Sequence, residues 1–437
     1  MAEQDKKYLK VYDYYRNVIR SGSLAPGARL PSIRRRAAEL GYSRTTVEQA
    51  YMMLAADGYI ISKPQSGFYV TDFLSHRSGE KGGTRPRERR REAIRYDFAS
   101  AGMDPGIFRF DVWRRYMRNA LRQDERLLTY GDSQGEPDLR EALAGYLGKN
   151  RGVLCRPDSI VVGAGTQNLL QLLCPMIRDR KQVYFRGAVF RQGGRIFQDF
   201  DIPVLPGGGE PEPGSIAYIA PSRMTAWGDV LPVRDRVKLI RAAEEKDVLI
   251  LEDDYDSEFC YYSRPVPSIQ GLDEAGNTVY LGTFSRMLLP SIRLSFMVLP
   301  EKLLDKYREV GTFYNQTASK AEQIALCQFI RDGNLESQIR KTKKVCVAKQ
   351  EALIAAIRDV FGDTVAIHRA ESGFLTGVDF GPGADAAMIC RRAAEQGIAV
   401  RPGEGGTVLF SFAAMESGKF PEGIAALRAA ILRDGVQ

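Results

Sequence analysis

Histidine is nearly missing from this chain of 437 residues, which has only His76 and His368. That scarcity excludes a His-rich metal centre, and a Ser-His-Asp triad would have to draw on one of these two, both in unpromising contexts. Cysteine is sparse as well. Cys155, Cys174, Cys260, Cys327, Cys346 and Cys390 are scattered without CxxC spacing, so neither a disulfide framework nor a zinc site is expected, and the thiols should be reduced and mostly buried. No uninterrupted apolar run approaches the roughly 20 residues of a membrane helix, and the opening MAEQDKKYLK lacks the apolar core of a secretory signal. A soluble, cytoplasmic protein with no metal and no membrane partner is expected. What is present, 44% hydrophobic and 27% charged residues, is ordinary globular composition on a chain long enough for two or more cores.

The formal charge of +8 is unevenly spread. Residues 1–95 hold 19 Lys+Arg against 10 Asp+Glu, and the remainder holds 43 against 44. A basic first fifth on a nearly neutral body suits a nucleic-acid-binding module attached to a separate domain, although a solvated basic tail has the same balance.

Local patterns separate these readings. Residues 6–20 (KKYLKVYDYYRNVIR) carry apolar positions at three- to four-residue spacing, the mark of an amphipathic helix. Ser32 can cap a second helix that Gly41 ends, and Ser43 can cap a third that stops at Gly58. Two short strand-like runs, YIISKP and GFYVTDF, flank PQSG and predict a hairpin. The stretch 76–95 (HRSGEKGGTRPRERRREAIR) has no apolar face and reads as a basic linker, kept soluble by charge or touching phosphates. From residue 96, β-like runs such as SIVVGAG, SIAYIA, DVLILEDD, TVYLGTF and LSFMVLP alternate with helical stretches. That alternation predicts an α/β domain with a largely parallel sheet, and the helical pattern after about Lys302 predicts a smaller C-terminal α/β subdomain attached by a long helix. The expected organisation is therefore 1–75, a linker at 76–95, and a large domain at 96–437.

In a helix-turn-helix the first turn of the recognition helix faces the major groove, and here it holds Ser43, Arg44, Thr45 and Thr46. Arg44 has the fork that reads guanine, Arg34 suits backbone or base contact, and Ser66 with Gly67 would form the tip of a wing. Taken together, LAPGARLPSIRRRAAELGYSRTTVEQAYMMLAADGYIISKPQSGFYV closely resembles the winged helix-turn-helix of the GntR transcription-factor superfamily. The resemblance implies binding of a double-stranded DNA operator through Arg34, Ser43, Arg44, Thr45, Thr46, Ser66 and Gly67.

Three pieces of the large domain carry chemistry. VGAGTQNLL opens a helix after a strand, where free backbone N–H groups favour a phosphate. LEDDYDSEF puts Asp253 and Tyr255 at the C-terminal end of a strand, the usual ligand edge of an α/β sheet. LGTFSRMLLPSIRLSF adds Ser285, Arg286 and Arg293, suited to an anion. With YGDSQGEPDLREAL, these pieces in this order look like the fold-type I aminotransferase domain, which binds pyridoxal phosphate (PLP). A GntR-type reader fused to that domain resembles the MocR subfamily of bacterial regulators. The resemblance implies a dimer, with Gly165, Thr166, Ser285 and Arg293 on the cofactor phosphate and Tyr130 reaching in from the partner subunit. It sets Asp253 against the pyridine nitrogen, Tyr255 on the ring hydroxyl and Phe190 in stacking position.

The chain departs from that pattern at Arg286, where GTFSR stands in place of the family's GTFSK and its Schiff-base lysine. A guanidinium stays protonated and cannot attack an aldehyde. No covalent cofactor is expected. Arg223 and Met224 occupy places where the family usually has His and Gln, RGAVF lacks the usual EDPG, and Leu409 sits where aminotransferases commonly carry the carboxylate-binding arginine, for which Arg401 is a candidate substitute. Extra guanidiniums at Arg286 and Arg223 favour an anion. The expected function is a DNA-binding transcriptional regulator, not an enzyme, whose degenerate aminotransferase-like domain senses noncovalent PLP or another small anionic effector. The alternatives are a domain that only dimerises, with Arg286 paired to Asp253 or another acid in an empty pocket, and a PLP-dependent aminotransferase lacking its base.

Overall fold

The structure, a computed structural model, describes residues 7–64, 66–71, 94–187, 190–205, 210–262, 266–311 and 313–432. The chain divides into two units, 1–91 and 92–437. The linker expected at 76–95, with His76, lies outside the described residues except for Ile94 and Arg95.

The first unit packs α1 (Lys7–Arg20), α2 (Ile33–Leu40) and α3 (Arg44–Ala56) beside a hairpin of β1 (Ile60–Lys63) and β2 (Gly67–Val70). Helix α1 buries Val11, Tyr12, Tyr15 and Ile19 along one stripe, each contributing about 1.5–3 kcal/mol relative to exposure. The two expected caps form. Ser32 Oγ accepts from Arg35 N at 3.3 Å, and Ser43 Oγ accepts from Thr46 N at 3.1 Å. Gly41 ends α2 at φ 64°, a left-handed turn that favours glycine. Between these caps the chain reverses tightly, and Val47, Ala50, Tyr51 and Leu54 of α3 anchor it to α1 in one core.

The second unit is built on a seven-stranded sheet. In chain order its strands follow β3 (Tyr96–Asp97), which lies elsewhere: β4 (Ile160–Gly163), β5 (Val183–Arg186), β6 (Val204–Leu205), β7 (Ile216–Ile219), β8 (Leu249–Asp254), β9 (Thr278–Thr283) and β10 (Ser295–Val298). The spatial order is β4-β10-β9-β8-β7-β5-β6. Pairings among β9, β8, β7, β5 and β6 are parallel, as expected, whereas β10 runs antiparallel to both β4 and β9. A parallel return needs a crossover of a dozen or more residues. The turn from Phe284 to Leu294 is too short for that, so β10 runs straight back and leaves Ser285, Arg286 and Arg293 on the ligand edge of the sheet.

The C-terminal part adds β11 (Ala366–His368), β12 (Leu375–Asp379), β13 (Ile398–Ala399), β14 (Arg401–Pro402) and β15 (Thr407–Ser411). Four of these form an antiparallel sheet ordered β11-β12-β15-β14, while β13 pairs in parallel with β3. The 28-residue helix Asn334–Phe361 leads into this smaller layer, which has its own core around Phe374, Val378, Phe410 and Phe412. Among the described residues no helix is long and apolar enough to cross a membrane.

Candidate functional sites

On the first unit, Arg34, Ser43, Arg44 and Thr45 are exposed, and neither arginine has a carboxylate within salt-bridge reach among the described residues. Arg35 and Arg36 differ, because both are tied to Glu39. Thr46 departs from expectation: it is 7% exposed, and its hydroxyl lies 2.7 Å from Ser43 Oγ. Both its amide and its hydroxyl turn back onto Ser43 Oγ, so the side chain closes the start of α3 rather than facing outward. At the wing, Ser66 Oγ is 2.6 Å from Tyr69 OH, and Gly67 adopts φ 106° beside the Arg29 guanidinium. Arg29 also bridges to Tyr69 through its backbone, a third edge that its place in a turn-rich segment did not signal.

On the second unit, the ends of β4, β8 and β9 gather the expected phosphate and ring residues. Gly165 precedes the helix Thr166–Leu173 at φ 102°, and a Cβ there would overlap the Arg293 guanidinium. Arg293 itself has φ 49° and donates to Ser285 Oγ at 3.4 Å. These four residues form a cradle of backbone amides, hydroxyls and one guanidinium, which suits a phosphate.

Asp253 accepts from Tyr218 OH at 2.6 Å, and the Phe190 ring lies 6.1 Å from that of Tyr218. Burial lifts the Asp253 carboxyl to about 6, with Asp254 and Asp256 adding to the rise and Tyr218 opposing it. A carboxyl raised from 3.8 to about 6 holds its proton more tightly when folded. Its contribution to stability is therefore full below the unfolded value and lost as pH rises through 6. Asp253→Asn is accordingly expected to stabilise the fold by about 1–3 kcal/mol at about pH 8 and to match the parent near pH 4. Thermal melts across that range check this, and a variant less stable at the alkaline end would contradict the burial argument.

Arg286 is buried at 8% exposure. Its Nε donates to Asp256 Oδ1 at 3.2 Å and its Nη1 to the Ala101 carbonyl at 3.3 Å. Its guanidinium sits between two rings, 5.1 Å from the centroid of Tyr255 and 4.5 Å from that of Phe374. Burial works against its charge, but Asp256, helped by Tyr255 and Tyr261, offsets this and holds it above the ordinary arginine value. The acid that meets Arg286 is thus Asp256 rather than Asp253. Asp256 lies just past β8, where strand alternation no longer predicts direction, so nothing local marked it as the partner.

Arg223 stacks 5.8 Å from the Tyr255 ring. Arg401 donates from Nε to the Ala99 carbonyl at 2.6 Å. Burial pushes the Arg401 guanidinium below its usual range, and its neighbours Arg286 and Arg223 push it further. Arg223 and Arg286 therefore share the Tyr255 ring, and Arg401 feels the charge of both. Leu409 is buried in β15 and brings no charge. Tyr130 stays apart from this cluster: it is 96% exposed.

The comparisons agree with this two-part build. Residues 7–70 match the family described as "Bacterial regulatory proteins, gntR family", and residues 102–206 and 220–427 match "Aminotransferase class I and II". The HTH-type transcriptional regulator YdeL of Bacillus subtilis (strain 168) is 34% identical over 450 residues, covering 97% of this chain and 96% of its own. A Rhizobium meliloti protein named "Probable rhizopine catabolism regulatory protein MocR" is 30% identical, covering 97% and 93%. Among solved structures, the kynurenine aminotransferase of Pyrococcus horikoshii superposes with a TM-score of 0.69 at 22% identity, over 79% of this chain and 93% of its own, a likeness of fold. The chain belongs to the GntR family of bacterial regulators in its MocR form, a winged helix-turn-helix followed by a domain of the class I and II aminotransferase family.

Proposed function

We propose that this regulator binds operator DNA through Arg34, Ser43, Arg44, Thr45, Ser66 and Gly67, and that its aminotransferase-like unit senses a small anionic metabolite without a covalently held cofactor. The observation that carries the second half is Arg286. Where the family resemblance places a lysine that bonds to PLP, this chain has a guanidinium fixed between two rings and tied to Asp256. It has no lone pair to offer at any accessible pH.

The rest of the cradle suits PLP held without a bond. Gly165, Thr166, Ser285 and Arg293 would hold its phosphate, Asp253 its ring nitrogen and Tyr255 its hydroxyl, with Phe190 against the ring. Tyr130, exposed on its own chain, would complete the site from the partner subunit of a homodimer. The same geometry argues against an aminotransferase, which needs a base at the position of Arg286. An effector acts here only by binding one arrangement of the dimer more tightly than the other.

Native mass spectrometry of the full-length protein, paired with operator binding across a metabolite panel, tests this reading. A dimer that releases an anionic small molecule on denaturation, and whose operator affinity changes when that molecule is added, is the expected result. Operator affinity indifferent to every metabolite would point instead to a domain that only dimerises.

A further inference from the structure

The charges around Tyr255 are not all joined in salt bridges. Asp256 is already matched by Arg286, and Asp253 already accepts from Tyr218. Asp97 acts on Arg401 from beyond salt-bridge distance. Among the described residues, then, neither Arg223 nor Arg401 forms a salt bridge: Arg223 acts on Asp253 only from beyond that distance, and Arg286 and Arg223 both oppose the charge of Arg401. Half-buried guanidiniums without a direct ion pair leave N–H donors that a bound anion would satisfy. The Arg223 fork lies over the same ring as Arg286 and makes no side-chain hydrogen bond among the described residues, so its paired N–H donors suit a planar carboxylate.

The position of this cluster matters as much as its charge. Ser285 belongs to the phosphate cradle and Arg286 to the cluster, and consecutive Cα atoms are about 3.8 Å apart. One small molecule can therefore meet both. We infer that the ligand is a phosphorylated pyridine carboxylate, its phosphate in the Gly165–Arg293 cradle and its carboxylate against Arg223, Arg286 and Arg401. This rests on the sensor reading above and deepens it: loss of the amine that captures an aldehyde coincides with gain of a site for the corresponding acid.

Three compounds that differ only at the 4-position of the ring make the test. Phosphopyridoxic acid carries a carboxylate there, pyridoxal phosphate an aldehyde and pyridoxamine phosphate an ammonium group. Calorimetric titration of the full-length protein is expected to rank them in that order, the carboxylate binding about tenfold tighter than the aldehyde and the ammonium compound about tenfold weaker. Arg223→Met, at a half-buried side chain that makes no hydrogen bond among the described residues, is expected to narrow the preference for carboxylate over aldehyde to under about threefold. Equal affinities, or tightest binding of the ammonium compound, would overturn the inference. So would failure of all three to bind; if another metabolite still altered operator affinity, the sensor reading would survive that failure, and if none did, it would fall as well.

Discussion

Arg44→Glu is expected to weaken binding at least a hundredfold to a DNA site that the parent protein selects from a random library. Arg44 opens α3, is exposed and makes no salt bridge among the described residues, so its charge is available to DNA. A bidentate contact to guanine is worth about 1–3 kcal/mol of discrimination. Reversal also sets a carboxylate against the phosphate backbone, and each 1.4 kcal/mol is about tenfold. Stability should move the opposite way: an acidic side chain in the first turn of a helix is favourable by about 0.3–1 kcal/mol. Loss of affinity with an equal or higher melting temperature, and with a shallower dependence on salt, is the expected combination. Unchanged affinity would remove Arg44 from the interface.

The contrast between Arg44 and Thr46 shows how far sequence carries. Caps and chain reversals depend on residues within four positions of one another, so Ser32, Gly41 and Ser43 declare themselves, and the helix-turn-helix was legible almost whole. Thr46 has the same hydroxyl as Thr45, but its burial depends on how the start of α3 packs, and its hydroxyl is drawn to Ser43 instead of outward. The same divide runs through the second unit. Strand ends with acidic or glycine-rich tails marked Gly165, Asp253 and Tyr255. Partners across the sheet left no local signal: Tyr218 sits inside the apolar run SIAYIA, yet it reaches Asp253 from the neighbouring strand. Asp256 was hidden among four acids within five residues, and only packing decides that it meets Arg286.

That pairing frames the sharpest test of the second unit. Arg286→Lys is expected to acquire a saturable imine absorption band on addition of stoichiometric PLP, whereas the parent acquires none at that ratio. Desolvation pushes a lysine amine at this buried position toward its neutral form, the form that attacks an aldehyde, against the pull of Asp256 toward the charged one. The exchange is not conservative for the fold, since the ammonium group cannot stack between Tyr255 and Phe374 as the planar guanidinium does. A loss of about 1–3 kcal/mol is expected without ligand, recovered when PLP binds the folded state. Arg286→Met separates charge from chemistry. It strands Asp256 as an unpaired buried carboxylate, a change worth about 3–5 kcal/mol of destabilisation, and it gains no band. A band in the lysine variant alone would mean that the phosphate cradle, Asp253 and Phe190 still hold a pyridoxal ring, and that one side chain divides covalent capture from reversible recognition. Absence of a band in a folded lysine variant would mean that the ring no longer fits, and the search for the effector would move to anions without one.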